Sequence, residues 1–424
     1  MLEFLNGTRK HGFLDYVGKL WRQHGDVFQV RLGTRNVMFA FHPDAVDQVT
    51  VSGRARYEKT NSFHAIGKYL SKEGQAGTTD VLWRDQSEQM APFFTPKATG
   101  SLLDMVIGDS VRKQLTRQGD ETEIADEMTR VTASIVLESM FSPGTMDSIE
   151  QIRGALETMI SAVTRHSTGF TLPAWVPTRG NRKYADAQKL VRSALASMIE
   201  QRLAQPFEQW PDDLLSKMMS VRDTESGDSL AETLLRDEWI SLLFAGHHKT
   251  AARTVSLAWD VLARHADVTS MLQAELDQVL AGRTPTFFDL RQLPYALQVV
   301  KEVLRLHPPV LFDSRDAVEL DHIGPYEVLP DTTVLLSPHY THRHPDYWQR
   351  PKLFDPERWD CESEAHNAAF LPFGVGSRVF LDTNFSFLES HLLLATLAQR
   401  FAPRLRQGYT ARRNLACGLP AHRP

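Results

Sequence analysis

Strand-forming stretches lie near both ends of this chain, and a long helix-patterned middle separates them. Any sheet must therefore be closed by segments far apart in sequence. The first stretch reads as two short strands, Val27 to Leu32 and Val37 to Phe41, around a turn at Gly33-Thr34-Arg35-Asn36. Residues from about 43 to 305 carry apolar positions at three- and four-residue spacing, the helical period. Beyond Pro308-Pro309 the pattern turns to short strand-like pieces, Tyr326-Glu327-Val328 and Thr333-Val334-Leu335-Leu336. A glycine-rich loop, Phe373-Gly374-Val375-Gly376-Ser377, then leads into a last helix expected over about 383–400. The expected fold class is mainly α with a small β-sheet region. A sheet drawn from both ends argues for a single compact domain over 1–424.

Within the middle, residues 232–265 read as one long helix that is apolar around most of its circumference, hence buried. Gly246 interrupts it at a cost of roughly 1 kcal/mol against alanine, which suits close packing or a local distortion beside a cavity. The composition supports a sizeable core, with 42% apolar and 23% charged residues. The net charge is −5 and no basic run exceeds Arg412-Arg413, which weighs against a nucleic-acid partner. Charges arrive early after Met1 and no stretch of about 18 apolar residues occurs, so no membrane anchor is expected and the location reads as cytoplasmic. The two cysteines, Cys361 and Cys417, sit in no metal-binding pattern and read as unpaired thiols.

Four signatures follow one another in order. They are Ala245-Gly246-His247-His248-Lys249-Thr250; Glu302-Val303-Leu304-Arg305 with Leu306-His307-Pro308-Pro309; Phe354-Asp355-Pro356-Glu357-Arg358-Trp359; and Phe373-Gly374-Val375-Gly376-Ser377-Arg378-Val379-Phe380, continued by Phe385 and Glu389. Trp83-Arg84 and Pro92-Phe93-Phe94 precede them. In this set and order the chain resembles the cytochrome P450 family along essentially its whole length. The resemblance implies the family fold and a buried structural cluster of Glu302, Arg305 and Arg358.

The same resemblance exposes departures. The family's iron-binding cysteine belongs at position 380, which is Phe380 here. Thiolate supplies the electron density for O–O cleavage, and a phenyl ring has no lone pair to give. The family's acid–alcohol pair in the long helix falls on His248 and Lys249. The propionate-binding arginine four residues after the tryptophan falls on Ser87, Asp85 and Glu88 stand where basic docking residues are usual, and a glycine past the cysteine site is Asp382. The expectation drawn from this set is a heme-free member with a degenerate heme-binding loop and no redox partner.

That expectation carries its own site. Losing a large planar ligand leaves a void costing about 24 cal/mol per Å³ unless it is filled. Arg315 and Arg378 stand where the resemblance places heme-propionate arginines. With His248 and Lys249, which share a helical stripe with Ala245 and Ala252, they would make the basic end of an apolar pocket. The expected catalytic residues are His248, Lys249 and Asp313. The expected ligand-binding residues are Phe244, Phe312, Arg315, Arg378, Phe380 and Asp382, the aromatic rings offering about 0.5–2 kcal/mol each to a cation. The reaction expected is a non-oxidative cyclisation, elimination or isomerisation of an anionic terpenoid such as a prenyl diphosphate, a lyase of secondary metabolism. The alternatives are a silent auxiliary partner of another biosynthetic enzyme and a residual heme protein with a non-cysteine ligand.

No cofactor is expected, and magnesium has no motif to support it. Plainer roles stand beside several of these residues. Lys249 pairs with an acid, and His248 is a satisfied core histidine. Asp313 pairs with Arg315 instead of acting as acid or base. Asp382 caps the helix from Thr383, and Asp212-Asp213 starts a helix rather than binding metal.

Overall fold

The computed structural model describes residues 2–33, 35–60, 87–88, 90–115, 122–141, 146–168, 176–211, 213–220, 237–242, 250–361, 363–376, 379 and 383–409. The chain divides into two compact units. One comprises Met1–Asn61 and Gln298–Phe380, the other Ser62–Leu297 and Leu381–Pro424.

The first unit holds the sheet that the sequence pattern calls for. Strands β1 (Val27–Leu32) and β2 (Arg35–Ala40) form an antiparallel pair that closes on Leu32 opposite Arg35. Arg35 and Asn36 are therefore already in the ladder rather than in the turn. β3 is Tyr57–Lys59, β4 Asp313–Ala317, β5 Asp321–Ile323, β6 Tyr326–Val328 and β7 Thr333–Leu336. The five-stranded sheet runs β1-β2-β7-β4-β3, with β2 parallel to β7 and the other pairs antiparallel. β5 and β6 form a separate hairpin.

In β2, Val37, Met38, Phe39 and Ala40 are all buried, as expected of a central strand covered on both faces. Successive residues alternate faces. One face carries Phe28, Val37, Phe39 and the partly buried Leu335 and Phe312, packed with Phe41 and Tyr340. The other carries Met38, Ala40, Ala317, Val334 and Leu336, against which Leu371 and Val375 pack.

The second unit is helical. Met146–Thr168 packs along Arg179–Leu203, and Thr383–Ala398 packs against Pro96–Leu115 and Ala251–Leu262. Thr383–Ala398 buries Leu392, Leu393, Leu394, Ala395, Leu397 and Ala398, so nearly its whole circumference after His391 is core. The long helix expected over 232–265 is not one element. Residues 237–242 are helical, residues 243–249 lie outside the described residues, and a helix starts at Ala251 with Thr250 at its N-cap. An apolar pattern cannot report such a break, because burial on both sides of it keeps the pattern intact. Asp213 caps the helix Leu214–Met219 through Ser216 N–H at 2.8 Å and receives both Nη groups of Arg202, each at 2.8 Å.

Glu302, Arg305 and Arg358 meet in the first unit. Arg305 grips the Glu302 carboxylate with Nε and Nη2, both at 2.8 Å, and Arg358 Nε adds a bond to Oε1 at 2.9 Å. Trp359 Nε1 and the Asp355 N–H complete the carboxylate at 3.1 and 3.0 Å. Arg305 donates further to the carbonyls of His342, Pro351 and Leu353. Glu302 and Arg305 are fully buried. Removing one partner of such a cluster strands the remaining charge, a loss of about 3–5 kcal/mol. Glu302→Gln is therefore expected to lower the urea midpoint of the protein by that much free energy. Arg350→Ala, which breaks an exposed pair with Asp355, is expected to cost no more than about 1 kcal/mol in the same measurement.

Candidate functional site

The glycine-rich loop is seated on the sheet face that also carries Arg315. Leu371 is buried and Val375 half-buried against Met38, Ala40, Ala317, Val334 and Leu336. Gly376 has φ +79°, and a Cβ there would overlap the Thr50 carbonyl oxygen, so both conformation and space require glycine.

His342 ties this loop to the ion cluster. Its Nε2 accepts the Leu371 N–H at 2.7 Å, and its Nδ1 lies 3.1 Å from the Arg305 carbonyl. Since Nε2 accepts, Nδ1 carries the proton and donates, and the ring is neutral. Burial pushes the His342 pKa down from 6.5 to about 3, aided by the Arg343 and Arg305 charges and opposed by the bond to the Arg305 carbonyl. Sequence reasoning missed this residue. Its only signal was a histidine pair, His342 and His344, inside an otherwise core-like stretch.

Arg315 and Asp313 project from the same face of β4, two residues apart. Arg315 pairs with Val334 and Asp313 with Leu336 across β7, which places both on the Leu371–Val375 side. Arg315 Nη1 donates to Asp313 Oδ1 at 2.6 Å and to the Ser314 carbonyl at 2.8 Å. The side chain of Arg315 is 7% exposed and that of Asp313 30%. Among the described residues, Nε and Nη2 of Arg315 make no hydrogen bond. Phe312 falls on the other face, with ring centroids 5.2 Å from Phe13 and 6.1 Å from Tyr340, so it does not line the same surface as Arg315. Phe244, His248, Lys249, Arg378, Phe380 and Asp382 lie outside the described residues, as do Trp83, Arg84, Asp85, Asp212 and Cys417. Ser87 is buried and Ala252 is buried, whereas Glu88 and Cys361 are exposed. No group of three metal-binding side chains occurs among the described residues, and none of their helices is long and apolar enough to cross a membrane.

The cytochrome P450 family model matches residues 1–415. The chain belongs to the cytochrome P450 family. It is similar to cyclooctatin synthase of Streptomyces melanosporofaciens, 30% identical across 90% of this chain and 83% of that protein. It is similar to cyclooctat-9-en-7-ol 5-monooxygenase of the same organism, 29% identical over 94% and 89% of the two chains. Pentalenene oxygenase of Streptomyces avermitilis is 26% identical over 94% and 91%. Among solved structures, retinoic acid bound cyanobacterial CYP120A1 superposes with a TM-score of 0.83 at 25% identity, covering 97% and 93% of the two chains.

These relatives correct the functional expectation drawn from the sequence. Oxygenases similar along nearly the whole chain overturn the non-oxidative lyase or cyclase and the exclusion of monooxygenase activity. The silent auxiliary partner goes with them. They also overturn the expectation of no cofactor, since the family implies heme, and with it the expectation of no redox partner. The physical reason is one of scale. The missing donor at position 380 and the changes at 248, 249, 87 and 382 are properties of a few side chains, and they do not set the reaction class of a whole scaffold.

Heme asks two things that these residues can be tested for. A propionate needs a fixed guanidinium, and Arg315, whose side chain is 7% exposed and whose Nη1 is held by Asp313, offers one. Iron needs an axial donor atom. Phe380 has none, and the exposed Cys361 precedes the loop's Gly374 and Gly376 instead of following them. The donor at position 380 therefore does not fit a thiolate-bound iron, and no chemical step is derived through that group.

Two outcomes follow from the loop and its histidine. Gly376→Ala is expected to destabilise the protein by more than about 1 kcal/mol, measured by urea unfolding. Between pH 3 and 6.5 the unfolded chain binds a proton that buried His342 refuses, so stability is whole above 6.5 and falls as pH drops toward 3. His391, pushed down to about 4 mainly by burial, acts in the same direction. His342→Gln is expected to reduce the slope of stability against pH by up to about 1.4 kcal/mol per pH unit. An unchanged slope in that variant would show that this ring does not titrate on unfolding.

Proposed function

We propose that this chain is a cytochrome P450-type oxygenase that acts on a hydrophobic, terpenoid-type substrate in the cytoplasm and takes electrons from a separate redox partner. The observation that carries the reading is similarity over more than nine-tenths of the chain to two oxygenases named for terpenoid substrates, cyclooctat-9-en-7-ol and pentalenene. Heme, when bound, would supply the oxygen chemistry. The chain's own described contribution is narrower. The Glu302–Arg305–Arg358 cluster and His342 hold the start of the glycine-rich loop. That loop packs on the face of the sheet that presents Arg315.

Position 380 remains the point at which this chain departs from its family, and it defines the test. Protein produced with 5-aminolevulinic acid is assayed for heme by the pyridine hemochrome spectrum. It is then incubated with a panel of cyclic terpenes and terpene alcohols, a surrogate ferredoxin and reductase, and NADPH. The expected result is bound heme approaching one per chain and an oxygenated product whose mass is raised by one oxygen atom. Phe380→Cys is expected to move the absorption band of the carbon monoxide complex to longer wavelength, as thiolate donation to the iron requires. Protein that takes up no heme under these conditions and oxygenates nothing in the panel, while Phe380→Cys does both, would overturn the proposal for the natural chain.

A further inference from the structure

The helix Arg179–Leu203 packs on Met146–Thr168 and leaves a face of its own uncovered. Along that face the charges run against the helix. Arg179, Arg182, Lys183 and Lys189 are exposed in its first half, beside a single acid, Asp186. Among the described residues none of these four cations has an ion pair. The last turn exposes Glu200, while its cation, Arg202, is buried against Asp213. A helix carries partial positive charge at its N-terminus and partial negative charge at its C-terminus. Both ends are therefore loaded with the sign their dipole disfavours. An antiparallel copy of the same helix answers both ends at once, with cations against a C-terminus and an anion against an N-terminus.

Position along the helix fixes the register in which two copies meet. At about 100° per residue, Arg179, Lys183, Asp186 and Ser197 lie within about 40° of Leu190. Leu190 is 37% exposed and stands at the middle of the helix. Arg182 and Glu200 are about five turns apart, so they share one flank of that stripe. Midway between them is position 191, beside Leu190. A twofold axis crossing the stripe there brings Arg182 against Glu200 of the second copy, and Leu190 against itself. The same axis sets the long Lys183 side chain over the small Ser197. Charge, dipole and bulk are complementary in this one register.

We propose that this face is a self-association surface, on which two copies of the chain pair through antiparallel Arg179–Leu203 helices. One helix from each copy, about 37 Å long at about 1.5 Å per residue, makes a contact at the small end of specific interfaces. Its charges sit at a rim open to water. The dimer is accordingly weak, and it loosens as salt rises. The pairing needs neither the heme nor the terpenoid reading above.

Sedimentation equilibrium of the full-length chain, in low and high salt, measures the pairing. Wild type is expected to dimerise, and Arg182→Glu or Glu200→Arg is expected to raise the dissociation constant at least about tenfold. Each change improves the match between charge and helix dipole, so lost pairing is not lost folding, and far-ultraviolet circular dichroism checks this. An equimolar mixture of the two variants is expected to pair as wild type does, because every opposed contact is again Arg against Glu. Disulfide trapping reads the register, in a background with Cys361 and Cys417 replaced by serine. Leu190→Cys is expected to cross-link to its own copy under mild oxidation, whereas Ser197→Cys, about 20 Å from its copy, is not. A wild type that stays monomeric at every concentration, a dimer that survives either charge reversal, a mixture that does not pair, or cross-linking at 197 instead of 190 would overturn the proposal. Monomers that bind phosphatidylglycerol vesicles, and lose that binding in Arg182→Glu, would overturn it too, by assigning the cations to an anionic lipid surface.

Discussion

Everything described in the first unit hangs on a carboxylate with no exposure to water. Glu302 accepts from Arg305, Arg358, Trp359 and the Asp355 backbone, and Arg305 in turn bonds three carbonyls between His342 and Leu353. A charge so deeply placed is tolerable only when every lone pair is answered. The cluster therefore specifies where the segment 342–359 must lie against the helix that carries Glu302. The Arg305 guanidinium also lies over the Trp348 ring, 5.2 Å from its centroid, which adds an apolar constraint to the polar ones.

From that anchor the geometry passes to the glycine-rich loop through one neutral imidazole. His342 is bonded to Arg305 twice, once by its ring and once by its own carbonyl, and its free nitrogen receives the Leu371 N–H. Leu371 and Val375 then seat the loop on the sheet. The chain of contacts explains how a structural ion cluster and a loop that begins fourteen residues after Trp359 can be parts of one device.

Phe380 sets a limit on inference from one position. The absence of a donor atom there is plain chemistry, and the ring cannot do what a thiolate does. The step from that fact to a non-oxidative lyase needed the rest of the chain to have changed its purpose as well. Relatives named as oxygenases over nine-tenths of the chain weigh against that step.

The sequence by itself determined the family, through four motifs in order, and that resemblance implied the residues of the buried cluster. It also determined β1, β2, β6 and β7, whose side chains alternate or are β-branched. It did not reveal β3 or β4. Asp313-Ser314-Arg315-Asp316-Ala317 is polar and has no strand propensity of its own, and it is a strand because β3 and β7 offer ladders on both of its edges. The separation of Phe312 from Arg315 was likewise decided only in three dimensions, since the pleat sends neighbours to opposite faces once a strand exists. The break at Thr250 and the coupling of His342 to Leu371 belong to the same class. Local pattern records what a residue prefers, whereas pairing and burial are set by partners that lie far along the chain.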